Sequence, residues 1–244
     1  MTIRAYNEVI KAIDLVKVYG KEPNEIVALN SLNIEVYQGE FVAIMGPSGS
    51  GKSTLLHCLA GLDNPTSGEV MLAGKSITHL SDNELVELRR GAIGFMFQTF
   101  NLIPTLNAFE NIILPAEIAN REIDSYWLEE LLNIFEIKDR LNHRPNELSG
   151  GQQQRVAAIR ALILKPLVVF ADEPTGNLDR DASKKLLEFL RLSVERHKQT
   201  IVMVTHDPLA ASYSNRVIYI RDGLIVGESQ SDSKIILEHL ETLF

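Results

Sequence analysis

The segment Gly46-Pro47-Ser48-Gly49-Ser50-Gly51-Lys52-Ser53-Thr54 carries residue types whose spacing suits the capture of phosphate groups. It fits G-x-x-x-x-G-K-[ST] in full, with an apolar run, Phe41-Met45, before it and helical spacing from Lys52 to about Ala60 after it. Glycines permit backbone angles that turn several N–H groups inward onto phosphate oxygens, and the start of the following helix adds a partial positive charge. Lys52 would reach the terminal phosphates, and the Ser53 hydroxyl would ligate Mg²⁺. A glycine-rich structural turn would explain the glycines. It would not explain Lys52-Ser53 in that register between a strand and a helix.

Two more groups suit the same chemistry. Val168-Val169-Phe170-Ala171 runs into Asp172-Glu173, and a buried strand ending in adjacent carboxylates is costly unless they are used. Asp172 would hold the cation through its waters, and Glu173 would orient an attacking water. The same pair before Pro174 also suits a helix start, and alone it does not decide between the two. Thr200-Val204 leads into Thr205-His206-Asp207, which places His206 at a carboxyl-terminal strand end, where ligands bind in open α/β sheets. His57, His79, His143, His197 and His239 lack such placement and read as helix, loop or surface residues.

These groups need a scaffold that brings distant segments to one edge. Alternating apolar residues predict strands over Val9-Val16 and Leu32-Val36, with further short strands at Glu69-Leu72 and near Ile77. Leu167-Ala171, Thr200-Val204 and Arg216-Ile220 are apolar and rich in β-branched residues, and Asp222-Gly223 reads as a turn into Leu224-Val226. Helical spacing covers Asp82-Arg90, Ser125-Phe135, Gln152-Leu164 and Ile235-Phe244. The pattern predicts one α/β domain over 1–244, with a helical subdomain at about 99–165 inserted in it. The formal net charge of -8 argues against a nucleic-acid partner, which would need a basic face. Cys58 is the single cysteine, so no intrachain disulfide forms, and its neighbours Leu55, Leu56, Leu59 and Ala60 suit a buried thiol. With no secretory leader recognised, a reducing, cytoplasmic setting is expected. No apolar stretch is long enough to cross a bilayer, so a membrane role would need another chain.

Leu148-Ser149-Gly150-Gly151-Gln152-Gln153-Gln154-Arg155 narrows the class. Ser149 and the amides of Gly150 and Gly151 stand at a helix start, a second place suited to an anion. This segment resembles the signature motif of the ABC ATPases. The resemblance covers roughly residues 8–228, with its motifs in the family's order. It implies a P-loop NTPase core of RecA type, with an antiparallel β subdomain and an inserted α-helical subdomain. It also implies ATP and Mg²⁺ as ligands, and an ATP-dependent homodimer in which the Ser149-Gly151 segment of one subunit closes on the nucleotide held by the other. Gln98 matches the family's Q-loop glutamine, which contacts Mg²⁺ and the water. Asp179, in Asn177-Leu178-Asp179, matches the loop that crosses the dimer interface. Tyr19 matches the aromatic that stacks on adenine. Val156-Ala157-Ala158-Ile159-Arg160 departs from the usual Val-Ala-Ile-Ala-Arg by one apolar position.

A subgroup resemblance rests on Lys21-Glu25, Gly61-Gly68 and Phe97-Pro104, which are similar to the ATPases of macrolide-export, lipoprotein-release and bacitracin-resistance systems. It implies an ATPase at the cytoplasmic face of the membrane. Its membrane partner would seat a coupling helix near Gln98-Pro104, against Phe97, Phe100, Leu102 and Ile103. Those apolar residues suit a subdomain core equally well. The work driven would be export or mechanotransmission; the alternative is a cell-division-type ATPase that signals to an envelope enzyme. Repair and translation members of the family carry long coiled-coil insertions or paired ATPase domains, and neither pattern occurs here.

Overall fold

The computed structural model describes residues 8–243; residues 1–7 and Phe244, which fall within the expected domain and the expected last helix, lie outside the described residues. Two long strands open the chain, β1 (Glu8–Tyr19) and β2 (Ile26–Tyr37), followed by β3 (Phe41–Met45) and α1 (Lys52–Leu59). Then come β4 (Ser67–Leu72), β5 (Lys75–Ser76), α2 (Asp82–Ala92) and β6 (Ile93–Met96). Three helices follow: α3 (Ala108–Ala119), α4 (Ser125–Ile134) and α5 (Gly150–Leu162). The chain closes with β7 (Val168–Asp172), α6 (Arg180–His197), β8 (Thr200–Val204), α7 (Pro208–Ala211), β9 (Arg216–Arg221), β10 (Leu224–Gln230) and α8 (Ser233–Leu243). A four-stranded antiparallel sheet runs β2-β1-β4-β5, and a six-stranded sheet runs β10-β9-β3-β8-β7-β6. In the larger sheet only the β9–β10 pair is antiparallel.

Every residue of β3 and β8 is buried, as a strand covered on both faces requires. Side chains alternate across such a strand, so the larger sheet feeds two separate cores. Phe41, Ala43, Met45, Val169, Ala171, Ile201 and Met203 face one side, packed with residues of α3 to α8. Val42, Ile44, Val168, Phe170, Val202 and Val204 face the other, packed with α1 and the antiparallel sheet. The parallel strands β3, β7 and β8 therefore deliver their carboxyl ends, Met45, Asp172 and Val204, to one edge.

Several elements exceed or escape the sequence expectation. β1 and β2 run past Val9-Val16 and Leu32-Val36 because they pair along their whole length, with bulges near Ala12/Leu15 and left-handed residues at Asp14 and Ser31. β6 was not expected as a strand. It is short and contains Gly94, where a Cβ would lie 2.1 Å from the Ala161 carbonyl oxygen, so the glycine admits the α5 backbone. α3 is masked in sequence by Pro115 in its interior. It starts at a reciprocal cap, with Glu110 N donating to Asn107 Oδ1 (2.8 Å) and Asn107 N to Glu110 Oε2 (2.7 Å). α6, also unexpected, buries Ala182, Leu186, Leu187, Leu190 and Val194. α5 buries Val156, Ala157, Ala158 and Ile159 alike, so the shifted apolar residue finds core on each side of the helix. Among the described residues no helix is long and apolar enough to cross a membrane.

Candidate nucleotide site

Loop 46–54 joins β3 to α1, and its glycines answer to close backbone approaches. A Cβ on Gly46 would fall 2.0 Å from the Ile220 carbonyl oxygen, and one on Gly51 2.2 Å from that of Ala28. Gly51 is also left-handed (φ 98°) and caps α1, a conformation costly for any side chain. Pro47, Ser48 and Gly49 are exposed, while the buried Ser50 hydroxyl has no hydrogen-bond partner. Lys52 is buried and its Nζ donates to the Pro47 carbonyl oxygen at 2.7 Å. Burial holds its pKa below the usual lysine range, against the raising influence of Glu173 and Asp172. An ammonium whose hydrogen bond goes to a neutral carbonyl is suited to an anionic ligand.

Across from the loop, Ser53 Oγ donates to Asp172 Oδ1 at 3.0 Å, although the two are 119 residues apart. Mg²⁺ is bound through one or two protein oxygens plus phosphate and water, and this hydroxyl–carboxylate pair fits that donor set. Glu173 follows immediately in a left-handed conformation (φ 46°), with its N–H donating to the Val204 carbonyl oxygen at 3.0 Å. A glutamate held there is strained, and such strain concentrates at functional sites. Glu173 Oε1 lies 2.9 Å from His206 Nδ1, and His206 is itself mostly exposed. Thr205 N donates to the Ile44 carbonyl oxygen (3.1 Å), which ties the β8 terminus to β3. The exposed Gln98 follows β6; its carbonyl accepts from Asn177 Nδ2 at 2.8 Å, and its side chain adjoins Gly176.

The remaining expected residues occupy neighbouring positions. Ser149 caps α5 through a reciprocal pair with Gln152, and Gly150 and Gly151 lie beside Asn177, Leu178 and Ala182. Asp179 caps α6, accepting from Ala182 N at 2.8 Å. Tyr19 ends β1 with its ring partly exposed. Thr54, in the first turn of α1, completes the loop. His57, which reads in the sequence as a helix, loop or surface residue, also joins the site. His57 Nε2 stands 3.8 Å from Asp172 Oδ2. The signal was its spacing of four from Ser53, which puts both on one face of α1. Cys58 is buried as expected, and burial pushes its thiol up to about 12.

Beside Gln98 a groove of about 440 Å³ runs between α2, β6, α3 and α5, lined in part by Val86, Arg89, Phe97, Ile103, Pro115 and Arg160. Of the four apolar residues considered for such a groove, Phe97 and Ile103 line it. Leu102 packs on the core, and the Phe100 ring approaches Gly150.

A parallel sheet whose strand–loop–helix cradle faces the carboxylates at the end of β7, with β8 between the two strands, defines a P-loop nucleoside triphosphatase. Residues 29–176 match the family described as ABC transporter, and the chain belongs to that family, as an ATP-binding, ATP-hydrolysing subunit. It is 45% identical over 222 residues to a bacitracin export ATP-binding protein of Halalkalibacterium halodurans, covering 89% of this chain and 87% of that one. It is 42% identical over 224 residues to a macrolide export ATP-binding/permease protein of Chlorobaculum tepidum, covering 90% of this chain and 34% of that one. The solved ATP-binding cassette MJ0796, dimeric and bound to ADP and Pi after hydrolysis, superimposes with a TM-score of 0.85 at 42% identity, covering 91% of this chain and 99% of that one.

Proposed function

We propose that this subunit binds Mg-ATP at loop 46–54 and hydrolyses it with Glu173 as the group that orients the attacking water. The carrying observation is the strained Glu173 at the end of β7, bonded to His206 and next to the Ser53–Asp172 pair. Lys52 and the loop amides neutralise the phosphates, and His206 holds the Glu173 carboxylate toward the water. Ser53, Asp172 and Gln98 would hold Mg²⁺, which when bound draws charge from the phosphate oxygens. Tyr19 offers the adenine a ring face. Ser149, Gly150, Gly151 and Asp179 are exposed or half-exposed at an edge from which they would reach the nucleotide of a second copy. Two subunits would then close head to tail over two ATP molecules, and hydrolysis would reopen them.

The groove beside Gln98 would receive a short helix of an integral membrane partner, which places the ATPase at the cytoplasmic face of the membrane. The fusion of an equivalent stretch to a permease in the macrolide export relative supports such a partner. The two export relatives support export or mechanotransmission over envelope-enzyme signalling. We infer that the chain is one ABC ATPase domain with a helical insertion over about 99–165, because β6 and β7 are paired neighbours and everything between them is helix or loop. Glu173→Gln is expected to keep ATP affinity, lose steady-state hydrolysis and accumulate an ATP-bound dimer on size exclusion. Near-normal turnover in that variant would remove Glu173 from this role.

A further inference from the structure

Asp63 lies just beyond α1 and takes no part in the phosphate chemistry. Both its oxygens are engaged: Oδ2 accepts from the Tyr19 hydroxyl at 2.6 Å, and Oδ1 from Lys17 Nζ at 2.6 Å. Lys17 Nζ donates also to the Asn64 carbonyl oxygen at 2.6 Å and stands 4.9 Å over the centroid of the Tyr19 ring. The Lys17 side chain is only 12% exposed, so this is more than a solvated surface pair. Two backbone ties bind the same loop to the same strand. Thr66 N donates to the Val16 carbonyl oxygen (2.7 Å), and Val18 N to Thr66 Oγ1 (2.9 Å).

An aromatic ring at a strand end rotates freely unless its edge is held, and a free ring is a poor stacking surface. Here the hydroxyl is pinned by a charged acceptor, and the ammonium covers one ring face. A planar base is left the opposite face. The pinning residue belongs to the loop that follows α1, whose first turn carries Lys52 and Ser53. The distance between the base platform and the phosphate cradle is thereby set through one rigid helix of about 12 Å.

We propose that Asp63 is a positioning residue for nucleotide binding: with Lys17 it orients the Tyr19 ring and fixes its spacing from the phosphate loop. The proposal rests on the reading of Tyr19 as the surface that takes the adenine. The Asp63 carboxyl is held below the usual range, where burial is outweighed by its bonds to Lys17 and Tyr19, so the ionised acceptor persists at neutral pH.

The test compares ATP with inorganic tripolyphosphate, each with Mg²⁺, on the full chain. Asp63→Ala is expected to raise the Kd and KM for ATP about fivefold or more, with kcat at saturation and the tripolyphosphate Kd unchanged. Tyr19→Phe, which keeps the ring and deletes only the pinned hydroxyl, is expected to show the same loss. The double variant should lose no more than either single one. Equal losses for ATP and tripolyphosphate, or additive losses in the double variant, would overturn the assignment. So would wild-type ATP affinity in both single variants while Tyr19→Ala is weakened. Unchanged affinity in Tyr19→Ala would instead refute the adenine platform itself.

Discussion

Cys58 shows how tightly the helix behind the phosphate loop is packed. Its thiol points into the core that α1 shares with both sheets, and burial moves its pKa from 9.0 to about 12. The sign of the consequence follows from linkage. Below pH 9 neither the folded nor the unfolded thiol is ionised, and stability is at its full value. Between pH 9 and 12 the unfolded chain loses the proton that the folded chain keeps, so stability falls as pH rises. Urea unfolding from pH 8.5 to 11 should show wild type losing up to about 1.4 kcal/mol per pH unit more than Cys58→Ala. The native thiol should also resist a colourimetric disulfide reagent until the protein unfolds. Parallel pH slopes for the two proteins would mean that Cys58 is not shielded. Asp172, Glu173 and His206 stand out in the sequence because each follows a buried run with polar chemistry, but the pairing of Ser53 with Asp172 and of Glu173 with His206 comes from the fold. The role of Asp63 was not legible, since its partners precede it by more than forty residues and only the fold of the antiparallel sheet brings them together.

At the scale of elements, α5 ties the helical segment to the segment after β6. Arg160, in its last turn, donates to the carbonyl oxygens of Phe100 and Asn101, each at 2.7 Å. Both acceptors belong to left-handed residues (φ 59° and 47°), so the guanidinium holds a strained turn two and three residues beyond Gln98. Burial lowers the Arg160 pKa, with no carboxylate among its hydrogen-bond partners to offset it. Arg160→Ala should therefore release the turn. About 2–4 kcal/mol of stability is expected to be lost, measured by thermal unfolding, because two carbonyls lose charged donors. Hydrolysis by the isolated subunit should fall less than hydrolysis stimulated by the membrane partner, since the turn lies on the path from Gln98 to the groove. An equal fall in both would deny the turn a transmitting role. Elements marked by an unbroken apolar run or a helical period were legible, as in β3, β8 and α5. β6 was hidden by its length and Gly94, and α3 by Pro115. α6 is hidden differently: Asp179, which matches the family's interface loop, also caps the helix that follows.

On the scale of the whole molecule, the nucleotide edge and the groove proposed for the membrane partner stand on different features. The nucleotide edge gathers the carboxyl ends of β3, β7 and β8, while the groove beside Gln98 is bounded by α2, β6, α3 and α5. Ile103 and Ile118 line that groove and are 38% and 56% exposed, an apolar surface left uncovered among the described residues. Arg89 and Arg160 also line it, and their hydrogen bonds go to backbone carbonyls, so the groove carries positive charge within an apolar wall. A lysine there would put an ammonium where an incoming helix must exclude water, at a desolvation cost, and would remove apolar contact at the same time. Ile103→Lys is accordingly expected to leave the melting temperature within about 2 °C of wild type, because an exposed substitution away from the core seldom exceeds 0.5 kcal/mol. Basal ATP hydrolysis should also be retained, since the phosphate loop and Glu173 lie outside the groove. Co-purification with the membrane partner should fall at least tenfold, and stimulated hydrolysis should be lost. Full stimulation with an intact complex would show that the partner docks elsewhere and that this surface serves another purpose.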